Sequence, residues 1–235
     1  MLFPEPLRQG YLIQRYKRFL VDIRLPSGEV LTAHCPNTGS MKNCLHPGAP
    51  AWFSLSDNKK RKYPATWEIA TTPDGHLAGI NTGRANRLVS EALEAGLLPT
   101  LTGYESLRHE VAYGTEGSRI DFLLKIDDLP VYVEVKSVTL CEQDGWGFFP
   151  DAVSTRGARH LRELAAMAQA GSRAVLVYCV QHTGIARVAA ASHIDPAYAT
   201  AFRQAVDQGV EVLALGARIT AEEITLDRQL PVVMD

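Results

Sequence analysis

The sequence contains two short alternating runs, Arg119-Ile-Asp-Phe-Leu-Leu-Lys125 and Val131-Tyr-Val-Glu-Val-Lys136, joined by a segment that includes Asp127-Asp128. Alternation with a period of two is typical of β-strands, whose successive side chains point to opposite faces. We expect Asp121 to lie on the polar face of the first strand. The apolar face of that strand is expected to hold Ile120, Phe122 and Leu124. The two runs therefore predict a β-hairpin with charged side chains on one face.

The polar face of this hairpin brings opposite and like charges together. Glu134 and Lys136 are two residues apart and share one face of the second strand. With Asp127-Asp128 as the two-residue turn of the hairpin, Asp121 of the first strand lies directly opposite Glu134. Pro130 counts against this register, because proline cannot donate a hydrogen bond to the ladder.

The two facing carboxylates predict a metal site. Like charges at cross-strand distance repel, and a divalent cation removes the conflict, since Mg²⁺ and Mn²⁺ take carboxylate oxygens. We predict that Asp121 and Glu134 hold Mg²⁺ or Mn²⁺, while Lys136 assists a water or stabilises charge on a phosphate transition state. This set indicates a phosphodiester hydrolase. The alternative is an ordinary salt bridge between Glu134 and Lys136, with Asp121 in solvent.

Length and composition are those of a globular protein. The chain has 235 residues, 46% of them hydrophobic and 21% charged, which suits one or two domains. No apolar run approaches the ~20 residues that span a bilayer, and the first residues lack the pattern of a signal peptide. Four scattered cysteines without a Cys-x-x-Cys motif suit a reducing compartment. We expect a cytoplasmic protein without membrane association and, because no nucleotide-binding glycine loop is present, without an organic cofactor.

The pattern of elements changes near residue 82. Before it, five extended runs alternate with Pro, Gly, Asn and Asp turn signals, and this spacing predicts a small β-barrel. A five-stranded barrel of the oligonucleotide-binding (OB) kind is one candidate, and other small barrels stay open. The five runs are 10–24, 29–34, 49–55, 62–71 and 76–80.

The region after residue 82 alternates helices and strands, which predicts an α/β domain with a mixed sheet. Helices are expected over 84–95, 154–170 and 195–209, each followed or ended by glycine. Asp151 is expected to cap the second of them. The predicted strands are 110–113, 119–125, 131–138, 174–180 and 210–215.

Charge is unevenly distributed between the two regions. Residues 1–82 have a net charge of +4 and residues 83–235 one of −6. A local positive field attracts nucleic-acid phosphates, although solvated loops are the alternative. The polar loop 37–40 could also hold phosphate, or its side chains could bond their own backbone. The predicted DNA-binding residues are Arg15, Lys17, Arg18, Asn37, Thr38, Ser40, Lys59, Lys60, Arg61 and Lys62, together with Arg156 at a helix start.

Four motifs together resemble the sugar fermentation stimulation protein A family along essentially the whole chain. They are His34-Cys-Pro-Asn-Thr-Gly-Ser-Met41, Arg119-Ile-Asp-Phe-Leu-Leu124, Val133-Glu-Val-Lys136 and Phe149-Pro-Asp-Ala-Val153. The order of elements around the hairpin also resembles the core of the PD-(D/E)xK nucleases. These resemblances imply an OB-like barrel over residues 1–82 and a PD-(D/E)xK nuclease-like domain over residues 83–235. They also imply DNA binding and a link to the expression of maltose-utilisation genes.

The nuclease resemblance assigns the metal-binding roles to Asp121 and Glu134, and the role of the superfamily lysine to Lys136. Related resolvases place a further carboxylate on the first helix, where this chain has Asn86, so second-metal binding and turnover stay open. The accessory positions are Asn86, Glu110 and Gln181.

Three functions remain open at this point. The first is a Mg²⁺- or Mn²⁺-dependent deoxyribonuclease, and the second is a catalytically silent DNA-binding regulator linked to sugar utilisation. The third, an RNA- or sugar-linked binding protein, ranks last because it would leave the paired carboxylates idle. The expected partner is DNA, single- or double-stranded, and a homodimer is compatible with the sequence.

Overall fold

A closed β-barrel forms the N-terminal part of the structure, a computed structural model that describes residues 1–234. Its strands are β1 Arg8–Tyr16, β2 Leu20–Arg24, β3 Val30–His34, β4 Pro50–Leu55, β5 Ala65–Thr71 and β6 Leu77–Gly79. Antiparallel neighbours follow the order β3-β2-β1-β4-β5-β6, and a parallel contact of His34 with Thr66 also joins β3 to β5. This contact closes β1 to β5 into a five-stranded barrel, which confirms the predicted barrel.

The five strands of the ring are not the five predicted runs. Run 10–24 is two strands, because the chain reverses at Lys17 and Arg18, both in the left-handed region with φ of 50° and 65°. Neither residue is a usual turn former, so the sequence carries no turn signal there. Run 76–80 lies outside the ring, where β6 pairs with the edge of β5.

The barrel encloses its own apolar core. Val21, Ile23, Phe53 and Trp67 are buried in it, and the Trp67 indole donates to the Ile69 carbonyl at 2.8 Å. The first residues of the chain do not belong to this barrel, although they fall within the predicted range 1–82. Met1, Phe3 and Leu7 pack in the core of the C-terminal domain.

A mixed six-stranded sheet is the centre of the C-terminal domain, as the sequence predicts. Its strands are β7 Ser106–Tyr113, β8 Ser118–Ile126, β9 Leu129–Val138, β12 Arg173–Val180, β14 Glu211–Ile219 and β15 Ile224–Gln229, and a smaller sheet contains β10 Leu140–Cys141, β11 Trp146–Phe149 and β13 Arg187–Ala190. In the large sheet the order is β15-β14-β12-β9-β8-β7, and β12 runs parallel to both β9 and β14. The small sheet and β15 were not predicted, because most of these strands are short or lie at an edge.

Three helices cover the two faces of the large sheet. They are α1 Ala85–Glu94, α2 Thr155–Gln169 and α3 Pro196–Asp207, close to the predicted ranges. Leu88 and Val89 of α1 pack on one face, whereas Leu161 of α2 and Phe202 of α3 pack on the other. The β8–β9 hairpin predicted from the sequence is therefore covered by helices on both faces of the sheet. Within residues 1–234, no helix combines the length and apolar character needed to cross a membrane.

Candidate active site

The β8–β9 hairpin has the register expected from the sequence. Asp127 and Asp128 form its turn with φ of 51° and 63°, and Phe122 pairs with Val133. Pro130 pairs with Lys125 at a position where a two-residue turn leaves the backbone nitrogen facing away from β8. Since the pairing of β9 with β12 begins only at Val131, no ladder hydrogen bond is lost at the proline.

The ladder between β8 and β9 ends just before the two carboxylates. Beyond the Phe122–Val133 pair, the Val135 N–H donates to Asp121 Oδ2 at 2.7 Å instead of to the facing backbone. The side chain of Ile120 consequently packs with the core under α2 and α3, while Phe122 packs on the α1 side. The expectation that Ile120 shares an apolar face with Phe122 and Leu124 is therefore wrong, because regular alternation stops at Asp121.

Helix α1 supplies the second partner of Asp121. The Asn86 amide donates to Asp121 Oδ1 at 2.8 Å, so both carboxylate oxygens are occupied by protein donors. Burial and the nearby charge of Glu134 raise the pKa of Asp121, against the lowering effect of these hydrogen bonds. Asp121 is thus half-buried next to a second acid, and the predicted alternative of a solvated Asp121 does not describe it.

Glu134 is almost fully buried, with 2% of its surface exposed, and its two oxygens differ sharply. Oε1 accepts from Lys136 Nζ at 2.5 Å and contacts the Nδ1 atom of His160, whereas Oε2 is buried without a partner. Burial raises the pKa of Glu134, but the hydrogen bond from His160 and the charge of Lys136 outweigh it and bring the pKa below its ordinary value. Glu134 is therefore a carboxylate at neutral pH.

His160 is the site residue that the sequence analysis missed. It lies on α2 with 2% exposure, and Arg156 Nε donates to its Nε2 at 3.2 Å. Since Nε2 is an acceptor, the proton is on Nδ1 and points at Glu134. In the sequence His160 follows Arg156, a predicted DNA-binding residue, by four positions. In the structure Arg156 instead orients His160.

The donor set fits a hard divalent cation only in part. Within residues 1–234, no three His, Cys, Asp or Glu side chains are grouped closely enough to ligate one ion. Two carboxylates are nevertheless a usual protein share for Mg²⁺, which keeps several waters. The Lys136 ammonium pairs with Glu134 Oε1, so the two carboxylates share one cation; Glu134 Oε2 has no partner and the pKa of Asp121 is raised.

The remaining accessory positions do not join the carboxylates. Glu110 lies at the β7 position facing Asp121, but it is exposed, its φ is 52°, and only its carbonyl is engaged, by Arg119. Gln181 is fully buried and donates to the Ser137 hydroxyl at 3.1 Å, with its own Oε1 unpartnered. Of the three accessory residues, only Asn86 contacts the predicted metal ligands.

A cleft of about 300 Å³ opens between the barrel and the C-terminal domain beside Lys136. Asn37 and Thr38 of the loop after β3 line it opposite Asn86 and Lys136. The Asn37 side chain accepts from the Gly39 N–H at 2.8 Å, so the alternative of a self-bonded turn holds for this residue. The structure thus brings the polar loop and residues 135–137 of β9 to one cavity, while Asp121 and Glu134 lie behind its lining.

The polar loop is held from both sides. Arg15 Nη2 donates to the carbonyls of Asn37 and Gly39 at 2.8 and 3.0 Å. From the other domain, the Asp151 carboxylate accepts from the Ser40 hydroxyl at 3.0 Å and from the Met41 N–H at 3.1 Å. Asp151 is therefore not the cap of α2, as we expected. Ser154 has that role, because its hydroxyl accepts from the Gly157 N–H.

The other predicted DNA-binding residues of the barrel lie outside the lining of the cleft. Lys17 and Arg18 form the exposed β1–β2 turn. Arg15 donates to the Arg18 carbonyl as well as to the polar loop. The segment 59–62 is the connection between β4 and β5, and Arg61 lines a second cavity of about 620 Å³. Arg8 and Arg84, which the sequence analysis did not select, line the same cavity.

Comparison with known proteins agrees with this architecture. A family model described as the sugar fermentation stimulation protein RE domain matches residues 83–223, and one described as the SfsA N-terminal OB domain matches residues 13–80. The chain belongs to the SfsA family. The predicted family and the OB kind of barrel are confirmed.

Full-length relatives extend the SfsA match along the chain. A sugar fermentation stimulation protein homolog of Pseudomonas putida strain W619 is 60% identical over 236 residues, covering 100% of both chains. One from Shewanella loihica is 58% identical and covers 99% of both. The solved structure of Pyrococcus furiosus SfsA in complex with Ca²⁺ has a TM-score of 0.88 at 27% identity, covering 99% of this chain and 98% of that one.

Proposed function

We propose that this SfsA-family protein binds DNA and hydrolyses its phosphodiester bonds with the help of a divalent cation. One observation carries the proposal. At the end of the β8–β9 ladder, burial and the neighbouring charge of Glu134 raise the pKa of Asp121, and one Glu134 oxygen is buried without a partner. Such a pair is unfavourable in a purely structural role. The Ca²⁺ in the Pyrococcus furiosus relative supports a divalent cation in this family.

Asp121 and Glu134 would hold Mg²⁺ or Mn²⁺. When bound, either ion would neutralise the two acids and supply Lewis-acid polarisation of a phosphate group. Asn86 and the Val135 N–H fix the Asp121 carboxylate, and His160 fixes that of Glu134. The chain therefore holds both carboxylates in place from their outer sides, as second partners of metal ligands commonly do.

Lys136 faces the cleft beside these acids. Its ammonium group is paired with Glu134 Oε1, and its side chain is 12% exposed. An ammonium group in this setting stabilises the negative charge that develops on a phosphate during hydrolysis, and it can donate a hydrogen bond from Nζ to a phosphate oxygen or to the attacking water. Its substitution should reduce turnover more than DNA affinity, because the exposed basic residues contribute most of the phosphate attraction.

We also propose how DNA reaches the cleft and where the protein acts. The β1–β2 turn, the polar loop 37–40 and the basic segment 59–62 give the barrel side positive charge and backbone donors for phosphates. The cytoplasm suits the activity, because the four cysteines are free thiols, as expected in a reducing compartment.

The test is cleavage of single- and double-stranded DNA by the purified full chain with Mn²⁺ or Mg²⁺. We expect Asp121→Asn and Lys136→Ala to lose at least ~100-fold in rate. Asp128→Asn and Lys125→Ala are the matched controls, since they change an acid and a lysine of the same hairpin away from the cleft. DNA binding without cleavage by the unchanged chain would exclude the nuclease.

A catalytically silent DNA-binding regulator is the second candidate. Lys136 and His160 both occupy Glu134 Oε1, and Asn86 stands where resolvases carry a further carboxylate. Through these contacts the protein's own groups neutralise the Glu134 carboxylate, which favours a site that is stable without a metal ion. The name of the relatives, sugar fermentation stimulation protein homolog, agrees with a regulatory link to sugar utilisation. The cleavage assay above separates the two functions.

A further inference from the structure

Strand β11 carries a row of aromatic side chains beside the cleft. Trp146 and Phe148 are two residues apart and half-buried, and their ring planes are within 13° of parallel with centroids 5.9 Å apart. The Arg187 guanidinium lies 4.3 Å from the Trp146 centroid, and the His193 ring meets Phe148 edge-on at 4.9 Å. Arg187 covers part of the Trp146 ring and His193 part of Phe148, and this packing fixes the two rings in place; the ring surface left uncovered lines an open groove.

An open groove of about 600 Å³ runs along these rings. Its rim is formed by Asn43, Glu142, Gln143 and Asp144. Glu142 is paired with Lys42 and contacts His193. The Asp144 carboxylate repels phosphates, and this carboxylate and the amide oxygens of the rim can accept hydrogen bonds from the exocyclic amino groups of cytosine and adenine. The groove therefore matches the face and edge of a nucleobase better than a sugar–phosphate backbone.

The groove adjoins the cleft beside Lys136. Phe148 lines both cavities, and its neighbour Phe149 lines the cleft together with Lys136. A DNA strand that runs from Lys136 past Phe148 would reach Trp146. In a duplex both faces of a base are covered by stacking, so only an unpaired base can lie on these rings.

We propose that Trp146 and Phe148 form a stacking subsite for an unpaired, amino-bearing base of the DNA strand held in the cleft. This inference rests on the proposed function and narrows it: the substrate is single-stranded at this position. The ring surface of Trp146 and Phe148 that lines the groove stacks on the base. Phe148 also lines the cleft, and the Asp144 carboxylate accepts a hydrogen bond from the amino group of the base.

The test measures binding without cleavage, in the presence of a metal chelator. Fluorescence anisotropy compares a decamer of deoxycytidine, a decamer of thymidine, a decamer of abasic tetrahydrofuran nucleotides and a blunt ten-base-pair duplex. The proteins are the full chain, Trp146→Ala, Trp146→Tyr and Asp144→Asn. Trp52→Phe, a half-buried tryptophan of the barrel, is the matched control.

We expect Trp146→Ala to weaken binding of the deoxycytidine decamer by about 10- to 100-fold and binding of the abasic decamer and the duplex by less than about twofold. Trp146→Tyr keeps most of the affinity, which separates lost stacking from lost folding. Asp144→Asn reduces the preference for deoxycytidine over thymidine. Equal losses for the deoxycytidine and abasic decamers, or no loss for either, would overturn the subsite.

The stacking subsite and the nuclease activity can each be disproved without disproving the other. If the full chain binds the deoxycytidine decamer through Trp146 but does not cleave it with Mn²⁺, the nuclease proposal is wrong and the stacking subsite stands. If it cleaves DNA and Trp146→Ala binds and cleaves single strands as well as the full chain does, the stacking subsite is wrong.

Discussion

The carboxylate of Asp121 accepts the Val135 N–H at 2.7 Å, in the place where the Ile120 carbonyl would accept in a continued ladder. The Asp121 side chain therefore ends the backbone pairing of β8 with β9 after the Phe122–Val133 pair. The acid that terminates the ladder is also the acid that Glu134 destabilises. Asp121 thus has two roles: its carboxylate ends the strand pairing, and in the proposed function it also binds a cation.

Replacing Asp121 by asparagine should stabilise the protein and abolish cleavage. The amide keeps an oxygen for the Val135 N–H and, after a flip of Asn86, a donor for that residue, while the buried charge next to Glu134 is removed. We expect the Tm in the presence of a chelator to rise by about 2–4 °C. Thermal unfolding measures it, with Asp128→Asn as the exposed control. A lower Tm for Asp121→Asn would show that its charge is compensated within the protein.

The stability difference between Asp121→Asn and the unchanged chain should depend on pH. The pKa of Asp121 is raised above its ordinary value of 3.8, so its native form is relatively stable while protonated and loses that stability as pH rises through the raised pKa. The advantage of asparagine should therefore be absent below pH 3.8 and full at neutral pH. Chemical denaturation between pH 3 and 7 checks it. An advantage that grows on acidification contradicts the sign.

His160→Ala should destabilise the fold through Glu134. The substitution removes the N–H that His160 directs at Glu134 Oε1. The Glu134 carboxylate, which is 2% exposed, then keeps only its contact with Lys136. We expect the free energy of unfolding to fall by about 1–3 kcal/mol. Urea denaturation at pH 7 measures the change. His193→Ala is the control, because His193 is exposed and lies 3.3 Å from Glu142, and its removal should change the free energy by under about 0.5 kcal/mol.

A divalent cation should raise the stability of the unchanged chain. An ion that binds only the native state at 100 times its Kd adds about 2.7 kcal/mol, whichever ion binds. Thermal shift with Ca²⁺, Mg²⁺ and Mn²⁺ measures this gain, and Asp121→Asn should lose most of it. An equal gain in Asp121→Asn would place the cation elsewhere. Glu116→Gln, an exposed acid on the β7–β8 connection, should keep the full gain.

Local rules explain which parts of this fold the sequence predicts. The hairpin register follows from the Asp127-Asp128 turn and the period of two, and both are properties of neighbouring residues. The barrel follows from regular turn signals. The β1–β2 turn escapes these rules because two basic residues, Lys17 and Arg18, adopt left-handed backbone conformations that their type does not favour.

The missed part of the site depends on contacts between distant segments. His160 reaches Glu134 only because α2 packs on the sheet face that carries Glu134, 26 positions earlier in the chain. Asp151 likewise contacts Ser40 across 111 positions, although its place before α2 suggested a cap. Periodicity and turn chemistry carry no information about such pairs, since they describe one segment at a time.

Gly39→Ala should weaken DNA binding by moving the polar loop. A Cβ atom at Gly39 would lie 2.8 Å from Asp151 Oδ2, closer than real Cβ atoms approach, and 3.0 Å from Asn37 Oδ1, which is a tight contact. Asp151 cannot move away freely, because it also holds Ser40 and Met41. The loop must therefore shift, and Asn37 and Thr38 move with it in the cleft.

We expect Gly39→Ala to lower DNA affinity by about tenfold, as a displaced group of backbone and amide donors would. Anisotropy at fixed ionic strength measures the loss. Gly83→Ala is the matched control, since its Cβ would meet only Asn81 Oδ1, at 3.3 Å. Unchanged affinity of Gly39→Ala, with Gly83→Ala also unaffected, would mean that the loop does not contact DNA through its held conformation.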